Sequence, residues 1–139
     1  MDKQELRKGN GDVYFLAERR ADNACIFVNW TGIQTLDMIM LGAQRLLTML
    51  RQKPCQAMIN NNREVIGPWN DGALFLGNKW ARQAKELGLL HFAHILAYGI
   101  YGQSSYQLFH QYGQQHLHIQ TFDTVKDAET WIRVLSFKQ

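Results

Sequence analysis

Residues 58–72, MINNNREVIGPWNDG, carry the reading that decides the fold. A short apolar run, Ala57-Met58-Ile59, passes into a polar stretch with Asn60, Asn61, Asn62 and Arg63. Gly67-Pro68 then precedes Trp69, Asn70 and Asp71. An apolar run, a turn-rich segment and an acidic helix start, in that order, describe a central sheet strand leaving through a loop into a helix. Ligands collect at such strand ends, where loops and helix N-termini converge.

Toward the N-terminus, Val13–Glu18 and Ala24–Asn29 are β-type runs whose spacing suits a hairpin. Trp30-Thr31-Gly32 is expected to break the second run, and Thr35 to cap a helix over Leu36–Arg51. Leu36, Ile39, Met40, Ala43, Leu46, Leu47 and Leu50 recur there at helical spacing. Met38, Leu41 and Met49 fall off that stripe, so this helix is expected to be covered by another element or by a second copy of the chain. Residues 1–11 are polar and expected to fray.

Toward the C-terminus, Ala73 to Leu87 reads as one amphipathic helix closed by Gly88. His91–Ala97 reads as a strand, and Ser104-Ser105 as caps of a helix ending at Gly113. Leu117–Phe122 reads as a strand, and Thr124 opens a last helix with Val125, Ala128, Trp131, Ile132 and Leu135 inward. The order β-β-α-β-α-β-α-β-α predicts one α/β domain over residues 1–139. Its sheet is mostly parallel and five-stranded, with one antiparallel edge strand and helices as cover.

Of 139 residues, 46% are hydrophobic and 19% charged, a globular balance that argues against disorder. The net charge of +3 is too small and too dispersed to indicate nucleic acid. No apolar run is long enough to span a membrane and no signal peptide is read, so a cytoplasmic setting is expected. Cys25 and Cys55 border apolar strands far apart in sequence, which suits buried thiols.

The residues offer little catalytic chemistry. His116 and His118 are expected to share one strand face, while His91 and His94 point to opposite faces, so the four do not converge on a metal. No Ser or Cys stands on a nucleophile elbow, and Gly99-x-x-Gly102 matches no phosphate loop. No enzyme, metal or cofactor is therefore expected. The candidate binding residues are Asn60, Asn61, Asn62, Arg63, Trp69, Asn70 and Asp71, with Tyr98 and Tyr101 from the neighbouring strand end.

The chain resembles the STAS fold of sulfate transporters and anti-sigma-factor antagonists, most closely small bacterial stand-alone STAS-like or STAS/SEC14-like domains. The likeness rests on Ile59-Asn60-Asn61-Asn62 with Gly67-Pro68-Trp69, on Gly88-Leu89 with Phe92-Ala93, on Ser104-Ser105, and on Phe122, Ala128 and Trp131. It implies a regulatory module that binds a protein partner or itself. The SEC14-like branch implies the alternative of a small apolar or acyl ligand. Regulatory STAS domains carry a phosphorylatable Ser or Thr after the third strand, whereas this chain has none from Met49 to Gln103. Asn70 and Asp71 stand there instead, and Asp71 is expected to act as a helix cap.

Overall fold

The computed structural model describes residues 2–137. One mixed sheet holds β1 (Lys3–Arg7), β2 (Val13–Arg19), β3 (Ile26–Ile33), β4 (Ala57–Ile66), β5 (His91–Ile95) and β6 (His118–Phe122), in sequence order. β1, β2 and β3 pair antiparallel, and β3 to β6 run parallel. The helices are α1 (Leu36–Gln52), α2 (Asn70–Phe75), α3 (Ala81–Glu86), α4 (Ile100–Gly113) and α5 (Val125–Phe137). A π-helical turn, Leu76–Trp80, joins α2 to α3.

The parallel strands advance across the sheet without reversing, so right-handed crossovers put α1, α2–α3 and α4 on the same face. Leu46, Leu50, Trp80 and Phe109 from those helices share one apolar cluster with Phe15, Val28, Met58 and Phe92 of the sheet. α5 covers the other face, where Ala128 and Ile132 meet Ile59, Ala93 and Ile95. Thr35 caps α1 by accepting from the Met38 amide, and Thr124 accepts from the Asp127 amide at the start of α5. Gly88, at φ 109°, supplies the left-handed residue just past α3.

Several expectations are corrected. The sheet has six strands rather than five, because Lys3–Arg7 is not frayed; Met1 lies outside the described residues. This strand pairs Lys3 with Glu18 and Leu6 with Phe15, so β2 is interior and β1 forms the edge. Its sequence KQELR hides it, since an exposed edge needs almost no apolar side chains.

Trp30-Thr31-Gly32 does not break β3, and Asn60 to Arg63 is not a loop. β3 and β4 stay paired as far as Ile33 with Ile66. Between Asn29–Asn61 and Thr31–Glu64 the register shifts, placing one extra residue in β4 as a bulge. Asparagine is depleted from strands because its amide competes for backbone bonds, but here each amide finds a side-chain partner instead.

α4 begins at Ile100, so Ser104 and Ser105 lie inside it. α1 behaves as read for Leu46 and Leu47, both buried, but Met49 is fully buried too, and Met38 packs against the core. Of the three residues set aside for self-association, only Leu41 is exposed.

Candidate functional site at the carboxyl end of the sheet

The carboxyl ends of β3, β4 and β5 carry a buried polar network on the α1 side. Strand alternation points Trp30, Asn60, Asn62 and His94 to that face. The Trp30 indole Nε1 donates to Asn60 Oδ1 at 2.8 Å. Indole nitrogen only donates, so this bond fixes the Asn60 amide with its oxygen toward Trp30. Asn60 Nδ2 then faces His94 Nδ1 at 3.2 Å and Asn62 Oδ1 at 3.4 Å. His94 Nδ1 must accept, which leaves the ring proton on Nε2.

His94 is 1% exposed, and burial lowers its pKa to about 3. The ring is therefore neutral at physiological pH. Tyr106 of α4 stacks on it at 4.3 Å, and burial raises that phenol to about 12. His94 Nε2, Trp69 Nε1 and Gln34 Oε1 are buried without a hydrogen-bond partner. Two small cavities, about 20 and 10 Å³, are both lined by Trp30, Asn60, Trp69 and Leu76, and the larger is also lined by Gln34. The larger has room for a single water molecule.

Two braces hold this end of the molecule. Ser105, fully buried in α4, accepts from the Trp69 amide at 2.8 Å and donates to Asn70 Oδ1 at 2.7 Å. It satisfies an otherwise unmet amide at the entry to α2, whose flanking residue Trp69 offers no side-chain cap. On the opposite face Arg63 donates to the carbonyls of Leu96 and Asp123. Its guanidinium lies 4.3 Å over the Tyr98 ring, a cation–π contact that ties β4 to the segment after β5.

Outside these braces the surface turns apolar. Ile33, Ile66, Tyr98, Ile100 and Tyr101 are 61–77% exposed, while every other exposed large apolar side chain among the described residues is 49% exposed or less. All five lie at the carboxyl end: Ile33 and Ile66 close β3 and β4 as direct partners, and the other three follow β5. A Cβ on Gly102 would sit 3.8 Å from the Gly67 carbonyl, so the start of α4 and the end of β4 share one rim.

The predicted residues thus separate into three groups. Asn60, Asn62 and Trp69 are buried in the network, Asn61 pairs with Asn29 at 2.9 Å, and Arg63 is a brace. Tyr98 and Tyr101 stand on the rim. Asn70 binds Ser105, and Asp71 is exposed in the first turn of α2 without a capping bond. The cap expected of Asp71 is therefore only a favourable charge near a helix N-terminus. His94, Tyr106, Ser105 and the isoleucines of the rim were not among the predicted residues. The β-branched pair Val65-Ile66 was the one sequence signal that the strand ran on.

Met40 and Leu41 of α1 border a second apolar feature, a groove of about 560 Å³ with Leu47, Phe75 and Trp80. Among the described residues no three His, Cys, Asp or Glu side chains gather at one point, and no helix is long and apolar enough to cross a membrane. No protein-family model, curated protein or solved structure matches the chain.

Proposed function

We propose that this chain is a non-enzymatic, STAS-like interaction module that docks a protein partner through the apolar rim at the carboxyl end of its sheet. The observation that carries the reading is the gathering on that one rim of the five most exposed large apolar side chains among the described residues. Single exposed apolar residues are ordinary on a protein surface, whereas a contiguous set marks an interaction site. Tyrosine and isoleucine on a rigid mount suit the centre of such an interface, since ordering them on binding costs little entropy.

The buried network serves as the mount. Ser105 and Arg63 fix the chain on either side of the rim, and the Trp30–Asn60–His94 chain ties β3, β4 and β5 together beneath it. The alternative, an acyl ligand held under the helices, finds little support. The interior cavities of about 20 and 10 Å³ lie far below the several hundred Å³ that such ligands occupy, and the groove of about 560 Å³ beside α1, though large enough, is open on the surface rather than enclosed under the helices.

With no phosphorylatable Ser or Thr at the start of α2, this reading assigns the module a constitutive surface rather than a kinase-controlled one. Native affinity capture with the parent chain and with an Ile66→Lys, Tyr101→Lys double variant tests it. The parent is expected to retain one or a few proteins in near-equal amount, and the variant to lose them while melting at the same temperature. Equal recovery by both chains contradicts the reading.

A further inference from the structure

On the face covered by α5, far from the rim, the parallel register pairs His91 of β5 directly with His118 of β6. The two imidazole Nδ1 atoms are 3.1 Å apart, and the rings meet at 75°. Trp131 of α5 forms the floor beneath them, 5.9 Å from the His91 ring and 5.2 Å from the His118 ring. His118 is exposed and His91 half-buried, and His91 also borders an open groove of about 490 Å³.

We propose that His91 and His118 form an exchangeable two-histidine site for a divalent transition metal of the copper, nickel and zinc class. The separation is the principal reason. A cation about 2.0–2.1 Å from each nitrogen would subtend roughly 95–100° across a 3.1 Å gap, an angle close to tetrahedral and square-planar geometry. The two nitrogens now share an N–H···N hydrogen bond, and a bound cation would replace it, the Nδ1 proton moving to Nε2 of the same ring.

The site supplies only imidazole nitrogen. Among the described residues no third His, Cys, Asp or Glu joins it, so solvent fills the remaining positions. An all-imidazole pair favours copper, nickel and zinc over magnesium and calcium, which require oxygen ligands.

Trp131 gives the site its own reporter. Trp30, Trp69 and Trp80 belong to the core on the other face of the sheet, so a quenching ion between the histidines acts on Trp131. Titration of the full chain with copper(II) and nickel(II), followed by tryptophan emission, is expected to show saturable quenching that magnesium(II) does not cause. His118→Gln should raise the half-saturation concentration at least about tenfold, because one ligand lacks the effective concentration of two. His116→Gln should change nothing, and Trp131→Phe should remove most of the quenching. Since His118 is exposed, its variant is expected to melt with the parent. Nuclear magnetic resonance of the histidine ring protons gives a second readout, with nickel(II) broadening His91 and His118 first. Quenching that survives His118→Gln with an unchanged midpoint, or equal broadening of all histidines, overturns the proposal.

Discussion

Ile33 and Ile66 close two adjacent parallel strands as direct register partners, and each leaves more than 60% of its surface in water. Strand ends in α/β sheets are ordinarily finished by polar loops. Two β-branched apolar residues side by side there remain in water unless another surface covers them. They should tolerate replacement when the chain is alone. Ile66→Lys is expected to change stability by less than about 0.5 kcal/mol, as measured by urea unfolding. A larger loss would mean that Ile66 is part of the core.

Leu46 tests the interior on the α1 side. It is buried at 3% exposure between α1 and the sheet. Leu46→Ala should cost about 2–5 kcal/mol, through lost transfer energy and the cavity left behind. An unchanged urea midpoint would remove α1 from the core.

Ser105→Ala removes the acceptor of the Trp69 amide and the donor to Asn70. One buried N–H is left unsatisfied, so the expected loss is about 1–3 kcal/mol. Hydrogen exchange should quicken locally at Trp69 and in the first turn of α2. A Ser105→Ala chain with parent stability and exchange would show that the bond carries little.

His94 makes a pH prediction. Burial depresses its folded pKa to about 3, well below the ordinary 6.5. A base whose pKa falls on folding binds its proton preferentially in the unfolded chain. Its contribution is therefore complete above pH 6.5 and is lost as pH drops from there toward 3. Between about pH 6.5 and 5 the His94 share of that loss is on the order of 2 kcal/mol. Comparing the pH slope of stability in the parent and in His94→Gln isolates this share. A His94 ring that titrates near 6.5 by nuclear magnetic resonance would contradict its burial.

The fold was legible wherever a single element carried its own period. The α1 helix, the start of β4, the strand at His91 and the helix after Thr124 all fall where spacing and caps put them, although Leu36 and Met40 of the expected α1 stripe are exposed. What stayed hidden was set by neighbours. β1 has one apolar residue facing the core and exists because β2 offers it a free edge. The asparagines of β4 continue a strand because Trp30, Asn29 and His94, all distant in sequence, accept or donate to their amides. Met49 looked surplus because α1 was expected to meet one surface. It is buried, and its carbonyl accepts from Arg19 of β2. Of the candidate residues, Tyr98 and Tyr101 do stand exposed at the strand end. Its apolar rim and buried support became apparent only with the register of β3 and β4.

The most direct test of the central claim places a photo-cross-linking residue at Tyr101 on the rim and, as a control, at Arg82, which is exposed on α3. After irradiation in the producing cell, Tyr101 should yield one dominant adduct of defined mass, identified by mass spectrometry as a partner protein. Arg82 should yield none. Adducts of equal amount and identity from both positions, or none from Tyr101, would contradict the assignment of this rim as the docking surface.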